Sequence, residues 1–467
     1  MMRRFVAYIF VFLLIRGSFA QISDRYPNVQ SPDEESVIIA WRTSTPSLGK
    51  LAYGTDSINM MDTVNSSIVM QKHYFELTGL SDNTKYYYEA FSDSISYGVN
   101  HFYTAKDEFE EQLRFLFYAD CGYDNTEQNA VSALMEQEEV DFGLVAGDVD
   151  QGIGDDYDAI FFKVYKNMLK RDCHFTSLGN HDMIYDDGDT YLDAFYLPHN
   201  NPDNTERYYS FTWGNAKFIC LDSNSPYTVG TDQYNWLLSE LQNNDMHWLF
   251  TFFHHPPWTN AWDLLYYVPL QPYFQYEGNE DMRTDLVPLF EEYNVDYVLN
   301  GHSHCYQRGN MNDVFYLISG GAGSSTLDQN TNSNAPNISV EKYVNHYTIF
   351  DINEDKVIFK AIDINGDIID SVYHQKPYLS SIASANAQEA LMNIYPNPVT
   401  DNAVISFNET LSEESVLTIT DIMGRPVRDP IPVTEEQLYF QRGDLIRGIY
   451  LFHLTGKINI TIKVVIN

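Results

Sequence analysis

An amide, an imidazole and a carboxylate follow one another in the sequence Gly179-Asn180-His181-Asp182. The apolar run at residues 173–178 precedes them and is typical of a β-strand. These polar side chains are therefore expected where the backbone leaves a sheet edge, which is where sites of α/β proteins usually lie. The tetrapeptide alone is equally typical of a turn, because glycine and asparagine tolerate positive φ angles.

Further polar residues end or follow similar apolar runs elsewhere in the chain: Asp120, Asp148, His254, His302 and His304. Together with Asn180 they form a set of oxygen and nitrogen donors suited to two metal ions. A lone histidine is more often a packed or surface residue than a ligand. Here, however, several predicted strands each end in a side chain that can bind metal, and packing does not easily explain such a repeated pattern. The six residues are therefore candidate metal ligands.

The elements that must position these residues lie between residues 110 and 375. Residues 113–119 and 140–146 are predicted strands, and 126–138 has the apolar spacing of a helix. Residues 234–241 carry the apolar stripe of a helix that packs on a sheet. Residues 208–222 are predicted to form a β-hairpin, so the sheet is mixed rather than purely parallel. The pattern favours an α/β (α+β) fold.

Both ends of the chain show a different pattern, of short strands separated by turns. Residues 26–104 are predicted to form a small β-sandwich, with Trp41 as a buried ring. Residues 392–467 have a second compact β pattern, and the Ser- and Ala-rich stretch at 376–391 is predicted to be a linker.

The composition limits the class of partner. The 467 residues are 44% hydrophobic and can fill several cores, while the formal net charge is −37. No clustered Lys and Arg residues are present to neutralise phosphates, so no nucleic-acid binding is expected. An anionic substrate would meet a repulsive overall field, and its attraction requires locally bound cations.

Residues 1–20 have the pattern of a secretory signal peptide. Arg3 and Arg4 precede an apolar stretch, and Ser18-Phe19-Ala20 supplies a small-x-small cleavage site. The apolar stretch is too short to cross about 30 Å of hydrocarbon, and no transmembrane segment is predicted in the rest of the chain.

The four cysteines lack the CxxC spacing of a zinc ribbon. They are interpreted first as buried thiols, and a Cys173–Cys220 bridge remains an alternative.

The polar motifs together resemble a known family. In chain order they are Asp120-Cys121-Gly122, Gly147-Asp148, Gly179-Asn180-His181-Asp182, His254-His255-Pro256 and Gly301-His302-Ser303-His304. This series is similar to that of the calcineurin-like metallophosphoesterases, and most similar to the purple acid phosphatase group. The resemblance implies two mixed β-sheets in a sandwich flanked by helices, with two metal ions at one edge.

The resemblance also implies a role for each motif residue. Asp148 would bridge the two metals, Asp120 and His304 would complete the first site, and the second site would be completed by Asn180, His254 and His302. His181 would lie beside the substrate as a general acid, and Asp182 would orient it. A turn-capping role for Asp182 remains open, and His255 is expected to be a packed residue or to lie behind the ligands.

One position departs from the family pattern. The purple enzymes carry a tyrosinate ligand in Gly-Asp-x-x-Tyr, whereas here Gln151 occupies the position of that tyrosine, three residues after Asp148. Loss of this anionic donor removes a preference for iron(III), so iron, zinc and manganese all remain candidates for the two divalent or trivalent ions. Tyr157 comes six residues late and is expected on a helix face, and Gly320-Gly321-Ala322-Gly323 is expected to be a turn.

Resemblance also covers both terminal regions. Residues 24–106 are similar to the fibronectin type III-like N-terminal domain of purple acid phosphatases, which precedes the catalytic domain at 110–375. Residues 392–467 resemble the C-terminal sorting domain of type IX secretion substrates. The chain is therefore expected at the cell surface or outside the cell, with the type IX machinery as a partner.

These observations predict an exported phosphohydrolase that cleaves phosphomonoesters with a metal-bound hydroxide. Two alternatives remain at this stage. One is a phosphodiesterase or nucleotide pyrophosphatase that uses the same site, and the other is an inactive surface protein that binds metal.

Overall fold

The structure is a computed structural model that describes residues 23–262, 278–330, 335, 337–376, 392–407, 415–421, 424–456 and 460–466. The expected signal peptide at 1–20 and residues 377–391 of the expected linker lie outside the described residues. No helix within the described ranges is long and apolar enough to cross a membrane.

The N-terminal region consists of strands packed as two sheets. Its strands are β1 Ser23–Gln30, β2 Ser36–Ser47, β3 Gly49–Gly54, β4 Asp62–Asn65, β5 Met70–Thr78, β6 Lys85–Ser92 and β7 Ile95–Tyr103. One sheet has the order β1-β2-β5 and the other β4-β3-β6-β7. Trp41 on β2 is buried between them, stacks on Phe75 and donates from Nε1 to Ser92 Oγ on β6 at 2.9 Å. The two sheets thus share one core, while the likeness to a fibronectin type III domain stays a prediction.

The central region contains two larger mixed sheets. Its strands are β8 Gln112–Tyr118, β9 Phe142–Val145, β10 Cys173–Thr176, β11 Tyr209–Trp213, β12 Ala216–Cys220, β13 Trp248–Phe252, β14 Ala261–Trp262, β15 Tyr297–Asn300, β16 Tyr306–Met311, β17 Val314–Ser319, β18 Gln329–Asn330, β19 Ile338–Lys342, β20 His346–Asn353, β21 Lys356–Asp363 and β22 Ile368–Gln375. The first sheet has the order β10-β9-β8-β20-β21-β22, and the second has the order β11-β12-β13-β15-β17-β16-β19. The short strands β14 and β18 pair with each other.

Each of the two sheets contains both parallel and antiparallel strand pairs. Strands β8, β9 and β10 run parallel, and so do β12, β13, β15 and β17. The hairpin β11-β12 is antiparallel and turns at Gly214, whose φ of 56° is in the left-handed region. The predicted hairpin and the mixed character of the sheet are confirmed.

Aromatic side chains join the two sheets face to face. Phe115 on β8 stacks on Phe142 and Phe350 of its own sheet, with centroids 5.3 and 4.7 Å away. It also meets Phe218 and Phe250 of the other sheet edge-on at 5.3 and 5.4 Å. Burial of one such ring contributes roughly 1.5–3 kcal/mol, so this cluster holds the sandwich together and fixes the edge that carries the motifs.

Helices flank the sheets. They are α1 Thr126–Met135, a π-helix Asp158–Phe162, α2 Lys166–Leu169, α3 Asp189–Ala194, α4 Asp232–Gln242, α5 Glu280–Asp285 and α6 Val287–Glu292. The predicted helix at 234–241 is confirmed as α4, which starts at the N-cap Thr231 and buries Trp236, Leu237 and Leu241. The helix predicted at 126–138 ends earlier, at Met135, because tighter turns replace its last helical turn.

The four cysteines are free and buried. They are core thiols, and the alternative Cys173–Cys220 bridge is not formed. Burial raises the pKa of each thiol, which keeps it protonated and unreactive.

The C-terminal region forms two further sheets. Its strands are β23 Met392–Tyr395, β24 Asn402–Phe407, β25 Val416–Asp421, β26 Ile431–Pro432, β27 Gln437–Gln441, β28 Gly448–Thr455 and β29 Ile460–Ile466. The sheet orders are β23-β24-β27 and β26-β25-β28-β29, and they enclose a separate hydrophobic cluster. Arg447 pairs with Asp107 and Lys463 pairs with Glu111, so charged contacts join this region to the segment before β8.

Candidate dinuclear metal centre

The six candidate ligands follow the carboxyl ends of parallel strands. Asp120 follows β8, Asp148 follows β9 and Asn180 follows β10 in the first sheet. His254 follows β13 in the second sheet, and His302 and His304 follow its neighbour β15. Because parallel strands end at a common edge, residues that are far apart in the sequence meet in one place.

The backbone turns sharply where these side chains project. Three of the candidates have a left-handed backbone: φ is 56° at Asp120, 49° at Asp148 and 69° at His302. Such angles are uncommon outside glycine and cluster at functional sites. Gly179 leaves room for the cluster, since a Cβ atom there would lie 2.1 Å from Asp148 Oδ1.

A first group of donors surrounds Asp120. His304 Nε2 lies 3.6 Å from Asp120 Oδ1. His304 Nδ1 lies 3.0 Å from Ser324 Oγ and 3.2 Å from the Thr326 carbonyl. The bond to the carbonyl keeps the proton on Nδ1 and leaves Nε2 to face Asp120 as a donor to a cation.

A second group lies around Asn180. Asn180 Oδ1 lies 3.0 Å from His254 Nε2 and 2.9 Å from His302 Nδ1, and these two ring nitrogens are 3.2 Å apart. His254 Nε2 is also 3.4 Å from Asp148 Oδ2, while its Nδ1 donates to the Ala146 carbonyl at 2.9 Å. Asp148 thus lies near His254 of the second group and near Asp120 of the first, and its role as a bridge stays a prediction.

The donor chemistry fits a pair of cations. Asp120 and Asp148 are buried, and neither pairs with a Lys or Arg within the described part of the chain. One ligand atom each from Asp120, Asp148 and His254 lies within 4.8 Å of the others. Two buried carboxylates that meet histidines but no Lys or Arg are better balanced when cations bind between them. Carboxylate, amide and imidazole donors suit zinc, manganese or iron.

The site shifts the pKa of its members in opposite directions. Burial alone would raise the pKa of Asp148, but His254 and the His181 backbone N–H lower it below its ordinary value. Burial opposes the charged form of His254 and His304, yet the neighbouring aspartates raise the pKa of each to about 9. Burial and the adjacent histidines lower the pKa of His302 well below its usual value. Asp148 and the rings of His254 and His304 are thus favoured in their charged forms, whereas His302 is favoured in its neutral form.

His181 is placed beside this cluster by backbone contacts. Its N–H donates to Asp148 Oδ1 at 2.8 Å, and its Nδ1 donates to the Gly152 carbonyl at 3.0 Å. The ring is partly exposed, as expected for a group that meets a substrate. Its role as a general acid stays a prediction.

Asp182 does not orient His181, which corrects one of the two expectations for it. Its Oδ1 accepts from Asp150 N–H and from the Tyr157 hydroxyl, and its Oδ2 accepts from Val149 N–H and Gly179 N–H. Asp182 is thus a buried clamp between the loops that carry the motifs, which is the turn-capping alternative. Burial and the nearby Asp148 carboxylate raise the pKa of Asp182 to about 7.

Tyr157 lies at the start of a helix, as expected, and its side chain also contacts Asp182. It is 2% exposed, directly precedes the π-helix and donates its hydroxyl to Asp182 at 2.9 Å. The spacing from Asp148 gave no signal of this contact, because Asp182 lies in another loop, after β10.

Three features of the site were not expected from the sequence. Gln151 Nε2 donates to both Asp120 Oδ1 and Asp148 Oδ2, at 3.1 and 3.3 Å. A ring nitrogen of His255 lies within 4.8 Å of those of His254 and His302, and its Nδ1 is 2.8 Å from Ser223 Oγ. A Cβ atom on Gly320 would lie 2.7 Å from Asp120 Oδ2, so the glycine run is also part of the wall.

Sequence comparison identifies two regions. The calcineurin-like phosphoesterase family matches residues 113–306, and the secretion system C-terminal sorting domain matches residues 393–467. The second match covers the C-terminal sheets, and the first covers all six candidate ligands.

Known relatives point the same way. The chain is 24% identical to a purple acid phosphatase of Glycine max over 63% of its own length and 67% of that protein. It is 24% identical to the Fe(3+)-Zn(2+) purple acid phosphatase 12 of Arabidopsis thaliana over 55% of its own length and 56% of that relative. The chain thus spans between about half and two thirds of the length of these relatives. The family match and these relatives support a metal-dependent phosphatase.

A solved structure shares the fold. The purple acid phosphatase PPD1 from yellow lupin (Lupinus luteus) aligns with a TM-score of 0.63 at 17% identity, covering 76% of this chain and 74% of that one. At this identity the likeness shows the fold alone, and it agrees with the predicted sandwich of mixed sheets.

Proposed function

We propose, from the calcineurin-like phosphoesterase domain that the chain contains, that this protein is an exported phosphohydrolase that uses two metal ions to cleave phosphomonoesters. The convergence of Asp120, Asp148, Asn180, His254, His302 and His304 at one sheet edge carries the proposal. Asp148 would bridge the two cations, with Asp120 and His304 on one side and the remaining three residues on the other.

The cations would supply the positive charge that the site lacks. Bound there, they would neutralise the ester oxygens and lower the pKa of a water molecule. This matters in a chain with a net charge of −37, because the overall field repels a phosphate ester.

The other side chains hold the ligands and handle the leaving group. The carbonyls of Ala146 and Thr326 fix the rings of His254 and His304 so that the Nε2 atoms face the carboxylates. His181, held at Nδ1 by Gly152, would protonate the leaving oxygen from Nε2. Asp182 keeps the two motif loops at a fixed separation and so maintains the spacing of Asp148 from His181.

The identity of the ions is a further part of the proposal. One relative is named for an Fe(3+)–Zn(2+) pair. Here Gln151 stands where the family pattern has tyrosine, so zinc, manganese or ferrous iron are the candidates.

The C-terminal region supports export. Its match to a secretion system sorting domain makes the type IX machinery the proposed partner, and a location outside the cell or on its surface the proposed destination. The N-terminal arginines and apolar stretch of residues 1–20 agree with entry into that route.

The decisive experiment removes the proposed bridge. Asp148→Ala should lower bound metal from two ions per chain to one or none and abolish hydrolysis of a chromogenic phosphomonoester. The control is Asp62→Ala, since Asp62 is an exposed residue of β4 outside the site. Full turnover in folded Asp148→Ala would refute the bridge, and wild-type protein that binds two ions but cleaves no phosphomonoester would refute the activity.

A further inference from the structure

We propose that Gln151 is a direct metal ligand of the first site, through its side-chain amide oxygen, and that this neutral donor makes the site select divalent over trivalent cations. The inference rests on the proposed metal centre, to which it adds a seventh ligand. The family pattern has a tyrosinate ligand at this position, but neither the family match nor the relatives assign a role to a glutamine there.

The side-chain amide of Gln151 lies close to both Asp120 and Asp148. Gln151 Nε2 lies 3.1 Å from Asp120 Oδ1 and 3.3 Å from Asp148 Oδ2. Its backbone N–H donates to the Gly122 carbonyl at 3.0 Å, which anchors the residue between the two aspartate motifs. The end of this side chain is therefore held against both carboxylates of the first site.

These separations match those inside a coordination sphere. With metal–oxygen distances of about 2.0–2.2 Å, neighbouring donors on one cation are about 3.0–3.5 Å apart in octahedral or tetrahedral geometry. The amide lies at this separation from both aspartates, and His304 Nε2 lies 3.6 Å from the same Asp120 oxygen. Asp120, Asp148 and Gln151 thus lie at the separations of donors that share one cation, and His304 meets this group at Asp120.

The Gln151 amide can either donate a hydrogen bond through Nε2 or bind a cation through Oε1. Its nitrogen donates to carboxylate oxygens, while its oxygen has nearly the same shape and size but binds cations. A rotation of about 180° about the last side-chain bond puts Oε1 where Nε2 lies, and the rest of the residue stays in place. A cation shared with the carboxylates favours the oxygen, since the N–H face would repel it.

Charge balance then sets the selectivity. Two carboxylates, of which Asp148 is shared with the second site, one neutral imidazole and one amide carry at most two negative charges, no more than the charge of a divalent cation. A trivalent cation would keep an excess positive charge in a largely buried position, and hard trivalent ions prefer anionic oxygen donors. The first site is therefore expected to hold zinc, manganese or ferrous iron.

Metal titration of the full chain tests the ligand role. Metal-stripped wild-type protein and Gln151→Leu are titrated with Zn²⁺ and with Mn²⁺ against a chromogenic chelator. Wild type should bind two ions, and Gln151→Leu should keep one site unchanged and weaken the other by about 10–100-fold or more. Gln137→Leu is the matched control, because Gln137 is an exposed glutamine in the turn after α1. Two unchanged affinities in Gln151→Leu would overturn the proposal.

A second variant tests the donor atom and the selectivity. Gln151→Glu keeps the chain length and adds an anionic oxygen, so it should bind both divalent ions at least as tightly as wild type and retain more Fe³⁺ during dialysis. Loss of affinity equal to that of Gln151→Leu, or an unchanged ratio of Fe³⁺ to Zn²⁺, would overturn it. If wild type hydrolyses a phosphomonoester and Gln151→Leu keeps both metal affinities, this inference alone is refuted. If wild type binds no cation, the proposed function is refuted as well.

Discussion

At the scale of single residues, the site separates side chains that face the proposed cations from those that hold the loops. His181 belongs to neither group. Its two polar contacts are made by the backbone N–H and by ring Nδ1, so ring Nε2 is left without a hydrogen bond among the described residues. Gly152 accepts from Nδ1, so this nitrogen keeps a proton and Nε2 remains the atom that can gain and lose one. His254 and His304 are held by carbonyls in the same way, and His181 differs from them because its ring makes no ion pair with Asp120 or Asp148, which agrees with the proposed role in proton transfer.

His181→Ala is expected to lower kcat for a phosphomonoester by about 10²–10⁴-fold, because a general acid contributes about that much. Metal content should stay at the wild-type level, since His181 contacts Asp148 only through its backbone N–H, which alanine keeps. Steady-state kinetics and elemental analysis of the same preparations measure both effects. His199→Ala, a change at an exposed histidine outside the site, serves as control. An unchanged kcat would make His181 structural.

At the scale of secondary-structure elements, two polar contacts fix the geometry that the strands alone leave open. Asp182 ties the loop after β10 to the segment after β9 by three hydrogen bonds and accepts a fourth from Gly179 N–H in its own loop. At the opposite end of β15, Asp296 joins the two sheets. Its Oδ2 accepts from Leu249 N–H at 2.9 Å and from Lys376 Nζ at 2.9 Å, and Lys376 directly follows β22 of the other sheet.

The Asp296 contact gives a pH dependence of folding. Burial raises the pKa of Asp296 to about 6, although Lys376 opposes the rise. The folded chain therefore keeps this proton up to about pH 6, whereas an unfolded aspartate loses it near pH 3.9. Because the folded state binds the proton more tightly, the stability from this group is fully present below about pH 4. It is lost as pH rises to about 6.

Urea denaturation of wild type and Asp296→Asn between pH 4 and 7 measures this effect. The free energy of unfolding of wild type relative to the variant should fall over this range by an amount on the order of 1–3 kcal/mol. Asp62→Asn, at an exposed position, should show no such change. A rise in relative stability with pH would mean that the Lys376 pair outweighs burial.

At the scale of the whole molecule, the C-terminal sorting domain is a separate unit that rests on the segment before β8. It has its own hydrophobic cluster. The Arg447 guanidinium lies 5.0 Å from the centre of the Phe109 ring, and Lys463 Nζ is 2.5 Å from Glu111. Within the described residues, no hydrogen bond or ion pair joins this domain to the six candidate ligands.

Deletion of residues 393–467 is therefore expected to leave kcat/KM of the purified protein within about two-fold of wild type, since the deleted part supplies no site residue. The same deletion should abolish export in a cell that has the type IX machinery. Assays of purified protein and of cell and medium fractions measure the two effects. Loss of activity in folded, metal-loaded protein would contradict a role confined to delivery.

The sequence by itself determined the six candidate ligands and the strand ends at which they lie. Apolar runs and turn residues are local signals, so the strands at β8, β9, β13 and β15, the hairpin at Gly214 and the helix α4 follow from neighbouring residues alone. The order of motifs and the C-terminal sorting domain were readable for the same reason, because both are contiguous patterns.

Only the tertiary structure decided how the side chains around the ligands pair. Asp182 is adjacent to His181 in the chain, yet it bonds to Val149, Asp150 and Tyr157. Gln151 reaches across to Asp120, which lies in another loop. Such contacts depend on sheet register and on the paths of separate loops, and a linear pattern carries no information about either.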